Sequence, residues 1–141
     1  MNEIKFLYVA GAITPYVNRD PVSDYWENLD IGIDKAAELL DMGYIPYCPH
    51  FDYSLYRAYR KRGKTLTKSA VYKYSMAWLT KCDAVLVLPK YRKSAGTKAE
   101  IARAKELGIP VFYSVEDLED YDEDLNGAKK NAEGFLRKAE E

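Results

Sequence analysis

The residues best equipped for chemistry lie in Ser94-Ala95-Gly96-Thr97-Lys98-Ala99-Glu100. A hydroxyl, exposed backbone amides and a carboxylate fall there within about one helical turn of one another. Gly96 lets a ligand approach the main chain, and the free N–H groups of a helix start suit a phosphate or another anion. A carboxylate at Glu100 has the chemistry to attack a sugar carbon, as carboxylates do in covalent glycosyl transfer. The same residues also have a purely structural reading. Thr97 and Glu100 match a capping box, in which the glutamate side chain only satisfies the N-cap amide.

Those residues need a frame, and the stretch from Asp83 to Tyr113 supplies one. Ala84 to Leu88 is five apolar residues without alternation, which fits a strand covered on both faces in a parallel sheet. A polar, small-residue loop follows, then a helix opening near Thr97, then a second strand after Gly108-Ile109-Pro110. This is a βαβ unit, and the loop at the carboxyl end of its first strand is where α/β proteins bind anionic ligands.

The rest of the chain repeats the alternation. Ile4 to Val9 reads as a strand ended by Gly11, and residues 11–20 as a loop at its carboxyl end. Asp24 and Glu27 form a capping box for a helix whose apolar stripe runs through Trp26, Leu29, Ile33, Ala36, Ala37 and Leu40. Tyr44 to Pro49 is a strand whose two prolines place it at an edge. From His50 to Lys64 the period is lost among tyrosines and arginines, a pattern suited to a lid or a partner surface. A helix from about Thr67 to Lys81 precedes Asp83, which belongs at the amino end of its strand, away from the ligand side. Residues 115–125 read as an acidic connector and 126–140 as a final helix. The expectation is one domain over 1–141. Its fold class is α/β, a small doubly wound (Rossmann- or flavodoxin-like) parallel sheet of four to five strands, ordered 2-1-3-4, with helices on both faces. The chain then reverses direction between its first and third strands, so residues 11–20 and 89–96 flank one crevice.

Composition narrows the function classes. With 21 basic against 22 acidic residues, the chain is not a general nucleic-acid binder. No apolar run approaches the roughly 20 residues of a membrane span, and the start lacks the flanks of a signal peptide, so a cytoplasmic protein is expected. The 13 tyrosines suit an aromatic ligand pocket or a subunit interface. Cys48 and Cys82 lack metal or redox spacing and read as core thiols. The single histidine, His50, reads as a packed residue more readily than a catalyst. No metal site and no cofactor is expected. Residues 57–64 form a basic segment which, with Tyr53, Tyr56 and Tyr59, is either a solvated face or a surface for a base and its phosphate.

The order YVAGAIT, CDAVLVLP, SAGTKAEIARAKELGIPVFY resembles the nucleoside 2-deoxyribosyltransferase-like superfamily, which includes nucleotide N-glycosidases. The resemblance covers about residues 4–114 and is most specific in Ser94-x-Gly96-x-x-x-Glu100. It implies that Glu100 is the nucleophile at the sugar C1′, and that Ser94 contacts the phosphate of a nucleoside 5′-monophosphate. It also implies that Tyr8 and Gly11 line the sugar and base site, and that the protein is a homodimer or higher homo-oligomer whose neighbouring subunit helps close that site. The family's helix aspartate corresponds here to Ser75, eight residues before Asp83 and so about 12 Å back towards the crevice. Serine cannot act as a carboxylate acid or base at neutral pH. Asp52, Asp20 and Asp24 are loop candidates for that role. The expected function is cleavage or transfer at the N-glycosidic bond of a nucleotide, with Gly96 and Thr97 beside the phosphate. The alternative is a non-catalytic nucleotide-binding or sensing protein on the same fold, and a further one is an interaction protein using the Tyr/Arg segment.

Overall fold

A computed structural model describes residues 3–12 and 21–140; within this range the side chains of residues 21–25, Tyr53, Lys93, Phe135 and 137–140 are outside the description. The loop expected over 11–20, with Asp20, and the Asp24 cap therefore lie largely outside the described residues. Four strands, β1 (Phe6–Ala10), β2 (Ile45–Tyr47), β3 (Ala84–Val87) and β4 (Val111–Phe112), form one parallel sheet in the order β2-β1-β3-β4. This is the expected doubly wound order, with the proline-bearing β2 at an edge.

Strand periodicity divides the interior in two. Leu7 and Val9 of β1, with Ala84 and Leu86 of β3, face one way. There they meet Ala36 and Leu39 of α1 (Pro21–Asp41) and Leu118 of α5 (Val115–Glu140). Tyr8, Ala10, Val85 and Val87 face the other way, against Leu79 of α3 (Lys68–Leu79) and Ile101 and Ala104 of α4 (Ala95–Glu106). The helices thus cover both faces, which is why β3 carries no polar alternation. The amino ends of the strands are tied by carboxylates. Asp83 Oδ2 accepts from the N–H groups of Lys5 (3.0 Å) and Phe6 (2.9 Å), and Asp122 Oδ1 from those of Glu3 (2.9 Å) and Ile4 (2.7 Å). Asp83 is therefore structural and far from the ligand side.

Three expectations need correction. The segment from His50 onward is ordered as a 3-10 turn (Pro49–Asp52) and a helix, α2 (Tyr53–Lys61). Leu55, Tyr56 and Tyr59 recur at helical spacing, but its described side chains are mostly exposed. The acidic stretch is no connector but the first turns of α5, which runs unbroken across both segments. Acidic side chains suit the positive end of a helix dipole, and Leu118 and Asp122, four residues apart, turn inward while the other acids stay in solvent. On α1 the buried stripe is Leu29, Gly32, Ala36 and Leu39, while Trp26, Ile33 and Leu40 are exposed.

Candidate active site

The site begins with a shift of three residues in a helix cap. Helix α4 opens at Ala95, and its N-cap is Ser94, whose extended backbone lets Oγ accept from Thr97 N–H (3.2 Å). Thr97 is buried, and its own hydroxyl donates to Ser94 Oγ (2.8 Å). The capping box expected from Thr97 and Glu100 is thus replaced by a cap on Ser94, because of two hydroxyl residues three apart the chain enters the helix at the first. Glu100 is left a turn deeper with no capping duty.

Glu100 points at the sheet. Its Oε2 is buried and has no hydrogen-bond partner among the described residues. Burial raises its pKa to about 7, and the Tyr8 hydroxyl offsets part of that rise. Tyr8 stands in the middle of the central strand β1 with no exposed surface. Its hydroxyl lies close enough to Glu100 and to Ser75 of α3 for each to act on its ionisation, yet it too closes no hydrogen bond among the described residues. Burial first, and the Glu100 carboxylate second, push the phenol well above its usual range, so it is a neutral donor. Two buried polar groups facing each other without a completed bond form a costly arrangement in a core, and such arrangements concentrate at functional sites.

A second tyrosine–carboxylate pair lies on the neighbouring strand. Tyr47 of β2 is the register partner of Tyr8, and their ring centroids are 5.6 Å apart. Tyr47 Oη donates to Asp52 Oδ2 at 2.6 Å. Asp52 ends the 3-10 turn and occupies the N-cap position of α2, yet makes no side-chain cap bond. Burial raises its pKa and the Tyr47 hydrogen bond lowers it. The Tyr47 ring also stacks on Trp78 of α3 (5.2 Å, 23°), with Tyr74 edge-on to both rings.

The other expected residues divide between two roles. A Cβ on Gly11 would lie 2.4 Å from Leu88 Cδ1, so the close pass of β1 and β3 accounts for that glycine. Gly96 is different. It lies in an ordinary helical turn, and an added Cβ would meet nothing within 4 Å. The fold does not demand a glycine there, while the space above the α4 amides stays open. Ser75 is buried on α3 beside Tyr8. His50 is a packing residue. Its Nε2 donates to Ala12 O (3.1 Å), its Nδ1 accepts from the Cys48 thiol (2.8 Å), and its ring lies against Gly32 of α1. Burial keeps the imidazole neutral and pushes the Cys48 thiol up to about 12.

A cavity of about 500 Å³ lies at the carboxyl ends of β3 and β4, lined by Val87 to Arg92 and by Tyr113. Lys90, at φ 65°, turns the chain there in the left-handed region. None of Tyr8, Ser75, Glu100, Tyr47 or Asp52 lines the cavity. Sequence reading missed Tyr47. The only signal for it was register, since its strand position matches that of Tyr8. Among the described residues no three His, Cys, Asp or Glu side chains gather as metal donors, and no helix is long and apolar enough to cross a membrane.

Comparison with known proteins adds a family. Residues 5–113 match the model of a domain of unknown function, DUF4406. No curated protein matches significantly. Among solved structures, the 2-deoxyribosyltransferase of the psychrotolerant bacterium Bacillus psychrosaccharolyticus is similar at 19% identity. The alignment covers 75% of this chain and 69% of that one, with a TM-score of 0.46.

Proposed function

The chain belongs to the DUF4406 family, and we propose that it cleaves or transfers at the N-glycosidic bond of a nucleoside 5′-monophosphate or related nucleotide, with Glu100 as nucleophile. One observation carries the reading. Glu100 is a carboxylate excluded from helix capping, with one oxygen buried and without a partner among the described residues, and a neutral tyrosine hydroxyl beside it. A structural glutamate in this position would have been satisfied by the cap or turned to solvent.

In this mechanism a Glu100 oxygen forms an ester bond to C1′ as the C1′–N bond breaks. The bonding electrons leave with the base, which takes up a proton. Water resolves the ester in a hydrolase, and a second base resolves it in a transferase. Tyr8 orients the carboxylate and holds its charge. Ser94 and the amides around Gly96 take the phosphate: Ser94 Oγ is already an acceptor for Thr97, so its own proton is available to a phosphate oxygen. Gly96 keeps the approach open.

The test is incubation with each common ribo- and deoxyribonucleoside monophosphate, with and without free base, followed by chromatography. The proposal expects free base or exchanged nucleotide from the parent and none from Glu100→Gln. Ligand-induced thermal stabilisation without turnover in any combination would instead support a nucleotide-binding protein and end the catalytic reading.

A further inference from the structure

We propose that Asp52 is a second catalytic carboxylate of this site, donating a proton to the departing base and later removing one from the incoming acceptor, with Tyr47 as its positioning residue. The inference rests on the N-glycosidic reading above and adds the proton-transfer group that Ser75 cannot supply.

Its basis is a repeated arrangement. Tyr8 and Tyr47 are register partners on adjacent strands, and each has a carboxylate at its hydroxyl end: Glu100 from the first turns of α4, Asp52 from the start of α2. Each carboxylate stands near a helix start, and neither serves as that helix's cap. Asp52 is only 8% exposed, and among the described residues no cation pairs with it. A buried carboxylate with no cap and no cation contributes nothing to stability that an apolar residue would not. What holds it is the Tyr47 hydroxyl at 2.6 Å, on a ring itself fixed between Tyr8 and Trp78.

The protons balance as follows. Tyr47 occupies Oδ2, so the mobile proton belongs on Oδ1. As Glu100 bonds to C1′, the electron pair of the C1′–N bond passes to the base nitrogen and the Oδ1 proton follows it, leaving Asp52 ionised. In the second half, a water or base N–H attacks C1′ and the glycosyl ester breaks, returning its electron pair to Glu100. The attacking atom's proton passes to Asp52. Two carboxylates then share nucleophilic and acid–base duties, the division common to retaining glycosyl transfer.

The experiment uses the nucleotide that the parent cleaves best, together with halogenated versions of its base whose leaving nitrogen is progressively less basic. For Asp52→Asn the proposal expects a loss in kcat of about 100-fold or more with the natural base, shrinking to about tenfold or less with the most activated one. Glu100→Gln loses activity with every base. Tyr47→Phe keeps the ring and shows the same leaving-group trend at smaller amplitude, so it carries the test if Asp52→Asn does not fold. An Asp52→Asn loss of equal size across the series, or no loss, overturns the role of Asp52 while the nucleophile reading stands. A parent that cleaves no nucleotide overturns both.

Discussion

Tyr8 and Tyr47 sit side by side on β1 and β2 with ring centroids 5.6 Å apart, and their hydroxyls serve two different carboxylates. Parallel register aligns the rings, and the helices that follow β3 and β2 deliver Glu100 and Asp52 to them. The candidate site is therefore a property of strand pairing as much as of the Ser94–Glu100 motif.

Glu100 links stability to pH. Its folded pKa, about 7, lies above its ordinary value of 4.5. The folded state thus holds the proton more tightly, and the associated stability is complete below about pH 4.5 and lost as pH rises to about 7. The difference is on the order of 3 kcal/mol. Thermal melts of the parent should decline across that window, and those of Glu100→Gln should decline less. Catalysis runs the other way: a nucleophilic Glu100 must be ionised, so kcat/KM should rise through about pH 7.

Tyr8→Phe separates stability from function. It removes a buried hydroxyl that completes no hydrogen bond among the described residues, so the melting temperature should be unchanged or higher, by up to about 1 kcal/mol of stability. The same hydroxyl holds the Glu100 pKa down. Its loss should shift the rising limb of the pH–rate profile to higher pH and lower the rate at neutrality.

Ser94 and Gly96 make opposite predictions. Ser94→Ala removes the α4 cap and should cost about 1 kcal/mol. Gly96→Ala adds a methyl in open space within a helix and should stabilise by up to about 1 kcal/mol. Both should raise KM for a nucleoside monophosphate more than for the free nucleoside. Equal effects on the two substrates would remove the phosphate from this helix end.

Gly11→Ala should destabilise by about 1–3 kcal/mol, through the contact with Leu88 rather than through any ligand. Chemical denaturation checks this, and Leu88→Ala in the same chain should recover part of the loss created by the added methyl.

Much of the frame was legible because it rests on local rules. The apolar run of β3, the prolines in and just after β2 and the polar loop before α4 each determine one element, and topology assembles the sheet. The cap was misread because Ser94 and Thr97 are both good N-caps, and the choice depends on where the 3-10 turn Tyr91–Lys93 releases the chain. Helix α2 escaped notice although Leu55, Tyr56 and Tyr59 recur at helical spacing, because tyrosines interleaved with arginines suit an exposed surface as well as a helix, and these side chains are indeed exposed. Asp52 was visible as a candidate, but its partner Tyr47 was not, since register between strands separated by a helix is not written in local spacing.

The two halves of the site are anchored unequally. Tyr8 lies on a strand hydrogen-bonded on both sides, whereas Tyr47 lies on a three-residue edge strand bonded on one. Local opening at the edge has the lower free energy, so amide exchange at β2 should outpace that at β1. In the proposed mechanism such opening moves the proton donor aside and leaves the nucleophile in register, which makes the β2 edge the hinge of the site and β1 its anvil.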